Sequence, residues 1–147
     1  MAGLTQPAPP QAPVRDVADL IDARCARTPE AVAIEDGATA FTYGWLDRAA
    51  RGYEHRLRAH GTGPETVVAV VAERSPQYVA MLLGVLRTGA AFLPVEPGTL
   101  PHRAARMCRT AGVRAVLTRP EDRRFAETVA PAAVVVEAGG PPGWSAG

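Results

Sequence analysis

Residues 67–103 read VVAVVAERSPQYVAMLLGVLRTGAAFLPVEPGTLPHR, and the order of apolar runs and breakers in them decides the fold. Val67-Val68-Ala69-Val70-Val71 is apolar at every position, as in a strand covered on both faces. Ser75-Pro76 then has the form of a helix start, with Ser75 as N-cap and Pro76 in the first turn. Tyr78, Val79, Leu82, Leu83, Val85 and Leu86 make that helix apolar over most of its girth. Gly89 stops it, because the left-handed residue that closes a helix is tolerated best by glycine. Ala91-Phe92-Leu93 resumes as a strand, and Pro94, Pro97 and Pro101 hold the chain extended until another helix starts near Pro101. Strand, helix and strand form a βαβ unit. It carries neither GxGxxG nor GxxxxGK[ST].

The same stretch resembles the amino-acid adenylation domains of nonribosomal peptide synthetases, within the adenylate-forming ligase superfamily. That family's L-(K/R)-x-G-(A/G)-A-(Y/F)-(L/V)-P-(L/V)-(D/E)-P pattern stands here from Leu86-Arg87-Thr88-Gly89 through Phe92-Leu93-Pro94 to Glu96-Pro97. Glu73-Arg74-Ser75-Pro76 before it and Pro101-His102-Arg103 after it agree with the family. Phe41-Thr42-Tyr43-Gly44-Trp45-Leu46 is similar to its earlier (L/F)-(T/S)-Y-x-x-L motif. The resemblance covers about residues 14–136. It implies a parallel-sheet, three-layer α/β subdomain of the adenylate-forming ligase fold, with an early β-hairpin.

The chain of 147 residues suits one domain, and its formal net charge of +1 gives no reason to expect a nucleic acid partner. All 16 basic residues are arginine. Cys25 and Cys108 fall in amphipathic helical patterns and read as buried free thiols of a reducing compartment. No stretch has the length and apolarity of a membrane helix or signal peptide, so a cytoplasmic location is expected.

Residues 1–13 are rich in Pro and Ala and read as a disordered arm or linker; 14–137 form the folded subdomain; 138–147 read as a flexible tail on which Trp144 could dock. A first helix is expected from about Val14 to Thr28, with Val17, Leu20, Ile21 and Cys25 on one inward stripe. Residues 31–35 and 40–43 flank Asp36-Gly37, a hairpin signal. The hairpin is expected to add to the parallel sheet or lie at its edge. A second helix from Tyr43 to Ala59 turns Leu46, Ala49, Ala50, Tyr53 and Leu57 inward. Later come a helical stripe of Ala104, Met107, Cys108 and Ala111 closed by Gly112, a strand over 114–118, a helix from Pro120 to about Ala130, and a strand over 134–137.

The resemblance implies ATP-dependent activation of an amino acid carboxylate, with Mg²⁺, to an aminoacyl-adenylate and pyrophosphate. In the family the phosphates sit in a Ser/Thr/Gly-rich loop ending in Pro-Lys-Gly, which should follow the last strand here. The sequence holds neither that loop nor any lysine. The expectation is therefore a framework cut short before its nucleotide-handling parts, with no catalytic, cofactor-binding or metal-binding residue of its own and no activity alone.

Individual residues have bland readings that outweigh sharp ones. Glu73-Arg74 reads as a helix-entering turn with an ion pair, Glu96 as a partner of loop backbone, and Ser75 as a cap. His55 and His60, five apart, have the wrong spacing for a metal pair. His102 and Arg106 read as surface; Tyr43 and Trp45 read as packing. One surface carries a sharper expectation. Small MbtH-like proteins dock near this region in the family, and Met107, Ala111, Val113 and Ala115 are the candidate partner-binding residues.

Three readings stay open. The chain is a silent scaffold or interaction module for synthetase domains or an MbtH-like protein, with self-association through an exposed sheet edge as a further expectation. Or it is half of a split adenylating enzyme, completed in trans. Or the likeness is fold-deep only. A piece excised from a longer protein would read the same way.

Overall fold

The structure is a computed structural model and describes residues 15–139. The arm over 1–13 and the tail from residue 140, Trp144 included, lie outside the described residues.

Four parallel strands make the sheet: β3 (Val67–Val71), β4 (Ala91–Val95), β5 (Ala115–Thr118) and β6 (Val134–Glu137), in the order β4-β3-β5-β6. Parallel neighbours cannot be joined by tight turns, so helices cross over between them. These are α3 (Pro76–Arg87), α4 (Pro101–Ala111) and α5 (Arg123–Val129), the last preceded by a 3-10 turn over Pro120–Asp122. Alternation along β3 feeds two cores. Val68 and Val70 face a cluster with α2 (Tyr43–Ala59) and α3, while Ala69 and Val71 face one with α4 and α5. The result is three layers, as the sequence led us to expect.

Several local expectations hold closely. Ser75 caps α3, its hydroxyl accepting from the Tyr78 amide at 3.1 Å. Helix α2 spans Tyr43–Ala59 and buries Leu46, Ala49, Ala50, Tyr53 and Leu57. Gly89 takes φ +89° beyond α3, and Gly112 takes φ +70° to close α4. Both cysteines are free and buried.

Two expectations are corrected. The hairpin of β1 (Val32–Asp36) and β2 (Thr39–Thr42) forms its own two-stranded antiparallel sheet and does not join the parallel one. Thr42 is both the last residue of β2 and the N-cap of α2, so no linker lets the hairpin reach the sheet. Ala33 and Ile34 pack against the α2–α3 cluster instead. The second correction concerns α1 (Arg15–Arg27): Val17 and Leu20 are 50% and 69% exposed, and Ala18, Ile21 and Cys25 face inward. The roll of the helix is set by Asp22, which takes hydrogen bonds from Arg87 of α3.

Arg87 ties three helices together. Its guanidinium donates to the Asp22 carboxylate from Nε at 2.9 Å, to Asp47 Oδ1 of α2 at 2.9 Å, and to the Asp47 carbonyl at 3.3 Å. Burial alone would lower its pKa; hydrogen bonds and charge from the two carboxylates outweigh that and raise it. Gly84 lets α2 and α3 approach closely, since a Cβ there would sit 2.8 Å from Tyr53 Cβ.

Candidate functional site

In open parallel sheets, ligands collect beyond the carboxyl ends of the strands, where successive crossovers leave on opposite faces. Here that place lies between β3 and β5. The chain leaving β3 enters α3 on one face, and the chain leaving β5 enters the 3-10 turn and α5 on the other. The rim is built from the loop 72–75, the loop 96–100, the turn 119–122 and the segment 137–139.

Thr118 staples the centre of this rim. It is fully buried, and its hydroxyl lies 3.1 Å from the Val71 carbonyl of β3 and 3.3 Å from the Arg119 carbonyl. With one proton to donate, it serves one of the two at a time. Arg119 next to it is held locally: Nε and Nη2 donate to Asp122 Oδ2 at 3.1 and 3.0 Å, and Glu121 lies 3.6 Å from Nη1. Tyr78 of α3 is half-buried at the same rim. Burial raises its pKa, the Arg74 charge lowers it, and the Glu96 charge raises it.

Glu73 and Arg74 are exposed in the turn into α3, and no ion pair joins them among the described residues. Glu96 is exposed; its backbone carbonyl, at the start of the Pro-rich loop, accepts from the Thr99 amide at 2.9 Å. His55, His60, His102 and Arg106 are exposed, in keeping with the bland reading. Tyr43 and Trp45 pack against the α2–α3 cluster; the Trp45 ring lies 4.6 Å from Phe41, and Arg24 stands 5.4 Å over Tyr43.

At the opposite ends of the strands lies a cleft of about 530 Å³, lined by His60, Thr66, Arg114, Val134 and two candidate partner residues, Val113 and Ala115. The other two, Met107 and Ala111, lie half-buried on α4 and do not line it. Ala115 is only 7% exposed and belongs to the α2–α3 core.

Sequence reasoning missed the polar group under the end of β6. The Tyr53 hydroxyl donates to the Gly139 carbonyl at 3.1 Å, and Gln77 Nε2 donates to Tyr53 Oη at 3.1 Å. The two residues are 24 apart in sequence, and Gly139 lies 86 residues from Tyr53, so no local pattern announces the contact.

A model of the AMP-binding enzymes matches residues 21–142. The chain belongs to the AMP-binding enzyme family. Its relatives are nonribosomal peptide synthetases. The phosphinothricin tripeptide synthetase PhsB of Streptomyces viridochromogenes is 45% identical over 101 residues, covering 67% of this chain and 8% of its own length. The isonitrile lipopeptide synthase of Mycobacterium tuberculosis is 41% identical over 138 residues, covering 93% of this chain and 5% of its own length. The chain thus spans less than a tenth of either relative. Among solved structures, the nonribosomal peptide synthetase FmoA3 bound to α-methyl-L-serine-AMP superposes with a TM-score of 0.75 at 30% identity, covering 83% of this chain and 14% of that one. VinN superposes at 0.71 and 25% identity, over 82% of this chain and 32% of its own. The described residues are therefore part of an adenylate-forming domain of the synthetase type.

Proposed function

We propose that this chain supplies the scaffold portion of an amino-acid adenylation domain in nonribosomal peptide biosynthesis, acting by contact and not turning over substrate by itself. The observation that carries this reading is β6. Among the described residues it is an apolar strand paired with β5 alone, with Val134 45% exposed at its start. A strand edge with unpaired amides and carbonyls is a template for further polypeptide. Neighbouring synthetase domains are the natural occupants, and an MbtH-like protein meeting Met107, Ala111 and Val113 is a second. Self-association through the same edge is a third.

The rim does not fit ATP·Mg²⁺ unaided. Stabilising phosphates takes a cradle of N–H donors and free cationic groups. Arg119 is already engaged by Asp122 and Glu121, the sequence has no lysine, and the exposed Arg74 is the one rim arginine without an ion pair among the described residues, too little to meet a triphosphate by itself. We derive no step through the nucleotide. Amino-acid-dependent pyrophosphate exchange tests the reading directly. The isolated chain is expected to be silent across the proteinogenic amino acids; exchange above background by this chain alone overturns the proposal.

A split enzyme is the second reading, and one observation favours it. Side chains hold the chain at the last residue of β6, Glu137, and again at Gly139 beyond it. Under this reading, exchange appears when a polypeptide carrying the phosphate-binding loop of a synthetase relative is added.

A further inference from the structure

We infer that Tyr53, Gln77 and Arg56 form a positioning device that fixes residues 137–139 at the end of β6 and draws Gly139 towards the rim between β3 and β5. The functional part of this inference rests on the split reading above.

Backbone carbonyls just past the end of a sheet ladder ordinarily turn to water. Here they are met by protein donors from two helices. Arg56 Nη1 of α2 donates to the Glu137 carbonyl at 2.6 Å. The Gly139 carbonyl accepts from Tyr53 of α2 at 3.1 Å and, more weakly, from Gln77 Nε2 of α3 at 3.4 Å. Between them Ala138 is fully buried, and its amide donates to the Thr118 carbonyl at 2.6 Å. Three consecutive residues are thus fixed.

The donors are placed at a cost. Tyr53 and Gln77 are 3% and 4% exposed on helix faces that otherwise pack apolar side chains. Polar groups buried there are unfavourable unless every partner is met. An apolar pair would fill the same space without that demand. What the polar pair adds is an address for one backbone carbonyl. Gln77 is the second residue of α3, which follows β3. Gly139 is therefore drawn from β6 at the sheet edge towards the start of α3, two strands inward.

The proton arrangement is determined. Tyr53 has one proton and gives it to Gly139, so its oxygen accepts from the Gln77 amide. Gln77→Glu keeps size and replaces the donor with an acceptor. The Tyr53 proton then turns to the carboxylate, and Gly139 loses its partner.

The test uses the full chain. Amide hydrogen exchange is followed over 134–139 and, as an internal reference, over 67–71, in Tyr53→Phe, Gln77→Glu and Arg56→Gln. Arg56 is exposed, so its variant keeps the fold if the buried changes do not. We expect exchange over 134–139 to rise by about tenfold with 67–71 unchanged. Unchanged exchange over 134–139, or an equal rise in both segments, overturns the inference. In the complemented system, the same variants should need about tenfold more of the loop-bearing polypeptide for half-maximal pyrophosphate exchange. An unshifted requirement overturns the link to completion of the site. Silence of the unaltered chain with that polypeptide overturns the split reading itself, and the exchange result then judges the hold alone.

Discussion

Single residues carry the most local predictions. Ser75 and Thr42 each satisfy an amide that a helix start leaves orphaned, at 3.1 Å in both cases. Replacing either by alanine should lower stability by about 1 kcal/mol, read as a shift of the urea midpoint at unchanged slope. The thiols set a pH dependence. Burial, joined by the Asp47 charge, pushes Cys25 above the ordinary 9.0, and burial does the same to Cys108. As pH rises past about 9, the unfolded chain loses these protons first and the folded chain still holds them. Stability is therefore complete below that point and falls as pH climbs towards the folded values. Urea midpoints between pH 7 and 11 should show that fall, and Cys25→Ala with Cys108→Ala should flatten its first part. Tyr53 and Tyr78, raised above 10.0 by burial, would leave a later decline in place. A double variant that falls as steeply as the parent from pH 9 would refute the assignment.

At the scale of elements, the α2–α3 contact and the Arg87 junction decide how the helical layer sits. Gly84→Ala would place a Cβ 2.8 Å from Tyr53 Cβ and 3.1 Å from the Ala50 carbonyl. Neither is a flexible tip, so the helices must separate, at an expected loss of about 1–3 kcal/mol. A thermal midpoint equal to the parent's would contradict that close approach. Arg87→Met removes charged hydrogen bonds to Asp22 and Asp47 and should cost about 2 kcal/mol. Because α1 is docked through Asp22, limited proteolysis of this variant should cut first within residues 15–27. Cleavage elsewhere first would place the docking of α1 in its apolar face instead.

These elements also mark the limits of sequence reading. Helix α2 was legible to the residue because its apolar positions repeat at the helical period and its buried face meets neighbours all along. The parallel strands were legible because they are apolar on both faces. The roll of α1 was not, since two stripes were available and a carboxylate 65 residues from its arginine chose between them. The hairpin was recognised from its turn, yet its placement followed from the junction at Thr42. At the candidate site, the family motif from Gly89 to Pro97, which contains β4, stood out in the sequence. The hold on Gly139 did not, because it joins residues from three distant segments. The four residues nominated for a partner lie close together along the chain, but Met107 and Ala111 belong to α4 whereas Val113 and Ala115 line the cleft at the start of β5.

For the whole molecule, the two margins of the sheet differ in chemistry; among the described residues β6 pairs with β5 alone and β4 with β3 alone. Val134 begins the edge strand β6 at 45% exposure, and Glu137 ends it, tied to Arg123 at 2.9 Å. Sedimentation at increasing concentration should reveal association of the isolated chain that Val134→Lys weakens, because charge on an edge strand opposes pairing. A parent that stays monomeric throughout would exclude this edge as a self-association site. On the far side, β4 carries Pro94 opposite Val70. Proline has no amide proton, and within sheets it is confined to outer strands with its nitrogen turned away from the ladder. If copies of this chain join through β6, as proposed, the opposite margin is the weaker template, because Pro94 offers it one amide fewer. Growth of that kind would close on itself: a two-fold pair back to back would use up the β6 margin and leave only the proline-bearing one for a fibre to extend from.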